Sequence, residues 1–389
     1  MKTQNIIVLF AFVISLLAAA CTAQPVIPTL APTEPPPAPM QPTAEPTETV
    51  QPATSSPTGI TVVDALGREV QFAVPPQRVA LAGKGSVLIF DALYLFPEAK
   101  TRLVTLGQGA QGKENFIAVI DPDHASKPIL PPDVSPEQLL ALKPDVVVLK
   151  SYLSETVGKP LESVGTAVVY VDFETPDQYW RDIRNIGQLF NNTARAEEIV
   201  SYFQARIDQV DQSLAGVDDS QKPRVLLLYY SEKDGQVAFN VPPVSWLQTL
   251  LVNMAGGIPV WTDIQLEKGW TKVNLEQIAA WDADQIYIID YFGDVDKTVA
   301  GLQASSEWQQ LRAVKEGKLY AFPKDFVSWD QPTPRWILGL QWLATKIHPE
   351  LFGNLDMQQE IRGFYDTMYG LDDKAYQEHI QPKLKGSFE

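Results

Sequence analysis

The sequence predicts an α/β protein of two similar lobes with mainly parallel sheets, separated by one long helix. Three observations carry that prediction. The stretch "SPEQLLALKPDVVVL" at 135–149 returns in plan as "NLEQIAAWDADQIYII" at 274–289. Shifted by 139 positions, Glu137, Gln138, Ala141 and Asp145 fall on Glu276, Gln277, Ala280 and Asp284, with Leu139 on Ile278 and Val147 on Ile286. A helix-to-strand corner built twice implies two similar lobes. Short β-rich runs also alternate with helical patterns, as in a parallel sheet covered by helices. Finally, the clearest helical period in the chain, residues 194–214, lies between the two series.

Taken in order, Lys2 precedes a fifteen-residue apolar run, Ile6–Ala20. A bilayer-spanning helix needs about 20 residues. The shorter length and the small-residue end fit a signal peptide instead, residues 1–21. Residues 22–59 are dominated by Pro, Thr, Ala and Glu with no period that could build a core. They read as a disordered tether, able to reach up to ~100 Å in polyproline form. From Ile60 the composition changes, and "TVVDALGREVQF" reads as a hairpin around Leu66-Gly67. Strands are expected near Arg78–Leu81, Arg102–Leu106, Val146–Leu149 and Ala167–Val171. In the helix 194–214, Ala196, Ile199, Val200, Phe203, Ile207, Val210 and Leu214 form one apolar stripe about 30 Å long. "PRVLLLYY" then opens the second series, with strands near Val225–Leu228, Gln285–Ile289 and Leu319–Phe322. Trp336, Ile337, Leu340, Leu343, Ala344 and Ile347 are spaced as the core face of a helix, and the chain continues helically beyond residue 352. The expected division is 60–193 for the first lobe, 194–215 for the joining helix and 216–389 for the second lobe.

Bulk properties narrow the function. The chain has 389 residues, enough for two cores, and a formal charge of −16. Nucleic-acid binding needs Lys and Arg clusters that are missing here. The single cysteine, Cys21, cannot form an internal disulfide, and with three histidines the chain lacks the clustered soft donors that a bare transition metal requires. "DPDH" at 121–124 reads as a turn, with a partial metal site as the alternative. No catalytic residue and no cofactor are assigned. There is no G-x-S-x-G. "GQGAQG" at 107–112 fits a dinucleotide fingerprint, which would make an NAD-dependent oxidoreductase, but it neither opens the first βαβ unit nor leads into a helix. A flexible glycine loop is the better account.

In open parallel sheets ligands lie beyond the carboxyl ends of the strands. Those ends carry Lys84, Tyr152 and Phe173 in the first lobe, and Tyr230, Tyr291 and Trp329 in the second, with Tyr229, Phe292 and Phe326 beside them, while Arg335 begins the helix that follows. Aromatic side chains recurring at strand ends suit a flat or greasy ligand. Lys84 and Arg335 could meet an anionic group. Each of these residues taken singly also fits ordinary packing.

Several blocks in fixed order carry a resemblance: "TVVDALGREVQFAVPPQRVAL", the two corners, "GGIPVW" and "WDQPTPRWILGLQWLATKIHPELF". They resemble the substrate-binding proteins of ABC importers, in the class for ferric siderophores, haem and cobalamin. That resemblance covers nearly all of residues 60–352. It implies two Rossmann-like lobes joined by one rigid helix, a ligand held between them and limited closure on binding. It also implies one glutamate per lobe that pairs with arginines of a dimeric permease, and the matching positions are Glu137 and Glu276. In the absence of that role, each is an acid in a first helical turn. "LLAAAC" resembles the lipobox of bacterial lipoproteins, with Ala18 where that pattern prefers Leu, so Cys21 is expected to be lipidated and to hold the chain on the outer side of the cell membrane. Secretory cleavage with a stray cysteine is the alternative. The expected ligand is chelated iron (a siderophore complex) or a related metal complex, bound by a monomer without resident metal. Haem, cobalamin or, because Lys84 stands in "AGKGS", an oxyanion remain alternatives.

Overall fold

A computed structural model of the protein describes residues 59–107, 115–264 and 268–388. The expected leader with Cys21, the tether up to residue 58 and positions 108–112 of the glycine stretch lie outside those residues. The first element is the expected hairpin, Ile60–Val63 antiparallel to Glu69–Phe72. Asp64 shapes its turn, with one carboxylate oxygen accepting from the backbone N–H groups of Leu66 (2.9 Å) and Arg68 (3.1 Å). Gly67 sits at φ +74°, a conformation glycine adopts without Cβ strain.

The first sheet is parallel, with Val146–Lys150 between Val79–Leu81 and Ala167–Val171. All five residues of the central strand are buried, which explains why it reads as a continuous apolar run instead of an alternating one. The strand expected over 102–106 starts later. Arg102 closes a short helix, Ala99–Arg102, and donates to the Phe190 carbonyl at 3.1 Å; Leu103 makes an isolated parallel bridge to Val79, and a strand forms only at Leu106–Gly107 against Ile129–Leu130.

The second sheet runs, in spatial order, Thr271–Val273, Gln236–Val241, Arg224–Lys233, Gln285–Ile289 and Leu319–Ala321. The last three are mutually parallel, Gln236–Val241 is antiparallel to them, and Thr271–Val273, antiparallel to Gln236–Val241, runs in their direction again. Arg224–Lys233 is much longer than the expected four residues. It continues into a tight hairpin because Asp234 and Gly235 both take positive φ, 53° and 74°, the geometry that matches the twist of paired strands.

The long helix spans Thr193–Leu214, with the Asn192 side chain accepting from the Arg195 N–H at 3.1 Å as its cap. Its predicted stripe is buried except for Leu214, which is half-buried. That stripe packs on Pro176–Leu189 from earlier in the chain and on Trp336–Ile347 from later. Phe203 stands at the meeting point, 5.3 Å from the Tyr179 ring and 5.5 Å from that of Trp336. One apolar core therefore runs from Val62 to Ile380 through this helix. Trp336–Ile347 is buried almost all round, as befits a helix inside the molecule. The C-terminal helix Met357–Tyr369 touches the joining helix and both halves: Arg195 donates to the carbonyls of Thr367 and Met368 (2.9 and 3.0 Å), the Tyr369 hydroxyl donates to the Asp91 carbonyl at 3.1 Å, and Gln341 donates to Glu360 at 3.1 Å.

Candidate functional site

The repeated corner is a repeated structure. Pro136–Ala141 is capped by Ser135 in a reciprocal capping box with Gln138, and Leu275–Trp281 is capped by Asn274, which accepts from the Gln277 N–H at 2.8 Å. Each helix leaves through a residue in the left-handed region, Lys143 (φ 49°) and Asp282 (φ 42°), again 139 positions apart. Each corner is then tied to the first strand of its sheet. Asp145 accepts from the Gln77 and Arg78 N–H groups (2.8 and 2.9 Å), and Arg78 returns two bonds to the Lys143 and Leu142 carbonyls. Asp284 accepts from the Arg224 N–H at 2.7 Å, and Arg224 donates to the Trp281 carbonyl at 2.8 Å. Glu137 and Glu276 stand exposed on the first turns of these two helices. The Ser135 hydroxyl, together with its own backbone N–H, holds the Glu137 carboxyl below the usual carboxylate range.

At the carboxyl end of the first sheet, Gly83 (φ 85°) and Gly85 (φ 81°) turn the chain so that Lys84 is an exposed tip. Tyr152, 58% exposed, donates its hydroxyl to the Lys84 carbonyl. A Cβ on Gly85 would lie 2.9 Å from that hydroxyl, so glycine is what lets the two segments meet. Lys84 and Tyr152 are thus brought together. Phe173 is not with them. Its backbone is left-handed (φ 56°), which turns the ring inward, 5.0 Å from Tyr179 in the core. Beneath this rim lies Lys150, a buried cation that the sequence reading missed; it donates to the Asp172 carbonyl and to Glu174 at 2.5 Å.

At the second sheet, Tyr230 lies inside the long strand and not at its end, half-buried, with its hydroxyl 3.1 Å from Glu232. Tyr291 is buried; it donates to Asp330 at 2.6 Å and its ring lies 4.6 Å from that of Tyr229. Trp329 and Arg335 are fully buried. The Trp329 indole donates to Asp325 at 3.1 Å, and the Arg335 guanidinium is held by Asp91 and Asp325, over the Phe116 ring at 4.2 Å. Packing and ion pairing occupy these two side chains, as packing occupies Phe173, in place of the rim position expected for all three.

Two hollows border these strand ends. One of about 720 Å³ is lined by Tyr229, Tyr230, Glu232, Asp290, Phe292 and Lys297 among others. Another of about 440 Å³ lies where Asn115, Ala118 and Val119 face Phe326, Glu378 and His379 from the other half. Among the described residues no cluster of three or more His, Cys, Asp or Glu is arranged to hold a metal ion. "DPDH" is a turn: His124 Nδ1 lies 2.9 Å from the Asp121 carbonyl, and the Asp121 carboxylate pairs with Lys127 at 2.5 Å. No described helix is long and apolar enough to cross a membrane.

The profile of the periplasmic binding protein family matches residues 127–326, just over half of the chain. The chain belongs to that family. As a periplasmic binding protein it works outside the cytoplasm by holding a small-molecule ligand. Its relatives include the molybdate-binding protein MolA of Haemophilus influenzae, 24% identical over 257 residues, which are 61% of this chain and 70% of MolA. The molybdate-bound structure of MolA, described as cognate to an ABC transporter, matches with a TM-score of 0.64 at 21% identity, over 80% of this chain and 98% of MolA. An iron-uptake system-binding protein of Bacillus subtilis is 19% identical over 263 residues, 66% of this chain and 78% of its own. A periplasmic solute-binding protein from Veillonella parvula shares the fold with a TM-score of 0.66 at 23% identity, over 82% and 96% of the two chains.

Proposed function

We propose that this periplasmic binding protein is the lipid-anchored substrate-binding component of an ABC importer and that its ligand is a chelated metal complex, such as a ferric siderophore. The observation that carries the importer reading is the doubled corner. Two equivalent helices, capped and clamped alike, each present an exposed acid on the first turn, Glu137 and Glu276. A dimeric permease with one basic patch per subunit would meet one corner with each; paired rim charges of this kind supply orientation and on-rate. In this reading residues 60–193 and 216–389 are the two lobes, 194–215 is the strut, and Cys21 carries lipid at the end of the 22–59 tether. The protein acts as a monomer and catalyses nothing.

A chelate is favoured over a bare ion because aromatic side chains, and not a donor cluster, stand at the strand ends: Tyr152 is 58% and Phe292 70% exposed. A second reading, a tetrahedral oxyanion such as molybdate, is supported by Lys84 on its glycine-flanked tip and by the likeness to MolA. The test is a melting-temperature screen of residues 60–389 against ferric siderophores, haem, cobalamin and molybdate. A ligand present at 100 times its dissociation constant adds about 2.7 kcal/mol of stability. A shift with a ferric complex alone supports the first reading, a shift with molybdate alone the second, and no shift with any of them contradicts both.

A further inference from the structure

The loop after the strand Gln285–Ile289 of the second sheet is held in place far more firmly than a surface turn requires. Asp290, 6% exposed, accepts from the backbone N–H groups of Phe292 (3.2 Å) and Gly293 (2.7 Å) through one oxygen and from the Thr298 hydroxyl (2.8 Å) through the other. Lys324, 9% exposed, drives its ammonium into the same loop and donates to the carbonyls of Asp290 (2.8 Å), Tyr291 (2.9 Å) and Gly293 (3.3 Å). Burying a lysine against neutral carbonyls is costly, and here burial pulls its pKa below the usual lysine range despite the nearby acids. A Cβ at Gly293 would lie 2.3 Å from the Asp290 carboxylate, so the loop also depends on that glycine.

What this apparatus displays is a phenylalanine in water. Phe292 is 70% exposed, the most exposed large apolar side chain among the described residues, at the edge of the hollow that also takes Tyr229 and Tyr230. The ionic side chains around that hollow are Glu232, Asp234, Asp290 and Asp294 against Lys233 and Lys297, an acidic excess that repels a small anion. The exposed cation Lys84 stands at the other sheet.

We infer that Asp290 and Lys324 are positioning residues that hold Phe292 out as a preformed aromatic jaw, against which a planar, uncharged ring of the ligand stacks. The inference rests on the binding-protein reading and sharpens its ligand to a complex that carries flat aromatic rings. Preforming the jaw removes the ordering cost that a mobile loop would pay on binding.

The full chain and its variants are titrated with cobalamin, haemin and molybdate, with tryptophan fluorescence as the readout. For the planar probe that wild type binds, Phe292→Ala is expected to weaken binding about ten-fold and Phe292→Tyr to leave it nearly unchanged, because ring stacking is lost in one and kept in the other. Neither variant should move the melting midpoint, since the ring is exposed. Lys324→Met and Gly293→Ala should weaken the same probe and speed amide exchange at residues 291–294. Equal affinity in Phe292→Ala overturns the jaw while leaving the binding-protein reading intact, as does binding of molybdate alone. Unchanged exchange in both loop variants overturns the positioning role without any ligand. Failure of wild type to bind any of the three probes overturns the proposed ligand class itself.

Discussion

Removing the Asp91 carboxylate tests how the two halves are fastened. Arg335, fully buried, pairs with Asp91 from the helix Val87–Leu93 and with Asp325 at 2.9 Å, and it also donates to the Tyr365 hydroxyl at 2.9 Å. In Asp91→Ala the guanidinium keeps Asp325, so its charge stays paired. Nη1 loses its acceptor, however, and Nη2 already lacks one. Breaking a buried ion pair from one side costs about 3–5 kcal/mol, and the surviving Asp325 places this case at the lower end, about 3 kcal/mol. At roughly 2 °C per kcal/mol for a chain of this size, the melting midpoint should fall by about 6 °C. Arg335→Met should cost more, because it leaves two buried carboxylates without their cation. Circular dichroism melts of the three proteins measure this directly. A shift within about 1 °C for Asp91→Ala, or an Arg335→Met variant no worse than it, would refute the reasoning that this triad bolts the first half to the second.

Reversing both corner acids, Glu137→Lys with Glu276→Lys, changes exposed side chains, so the melting midpoint and ligand affinity should stay as in wild type. Ligand uptake by cells carrying the protein should collapse, and undiminished uptake would contradict the docking role. Asp284 is partly buried, which raises its pKa, but the Arg224 N–H and the Arg312 guanidinium outweigh this and hold it below the usual carboxylate range. Its folded value lies below its unfolded one, so the stability it adds is complete above about pH 4 and is lost as pH falls through the folded value. Asp284→Asn should therefore lower the midpoint near neutrality and flatten its decline in acid, as melts across a pH series would measure. At Gly339 a Cβ would lie 2.4 Å from the Trp329 carbonyl oxygen, a backbone atom with little room to move. Gly339→Ala should cost about 1–3 kcal/mol in urea unfolding.

Much of this fold was legible because its signals are local. The strands Ala167–Val171 and Gln285–Ile289 lie where their apolar runs put them, and the corner repeat survives in the structure down to the left-handed pair Lys143 and Asp282. The overlong strand Arg224–Lys233 was legible too, since Asp234-Gly235 is a strong hairpin signal that the sequence reading passed over. The rim was harder to read for a physical reason. A strand end marks where a residue sits but not where its side chain goes. Phe173 turns inward through its own backbone angle, and Arg335 finds Asp91 across 244 positions of chain, a partner no local pattern announces. Asp290 and Lys324 likewise meet only in the folded molecule, although Asp290 followed by Gly293 in "IIDYFGD" was a visible turn signal.

Amide hydrogen exchange of the full chain, with and without whichever ligand raises its melting midpoint, tests the central claim most directly. Protection is expected to rise at both sets of strand ends together, residues 82–85 and 151–153 in one half and 290–293 and 322–326 in the other, while the helices bearing Glu137 and Glu276 keep their free-state exchange. Protection confined to one half, or centred on those corner helices, would mean that the ligand does not lie between the two sheets.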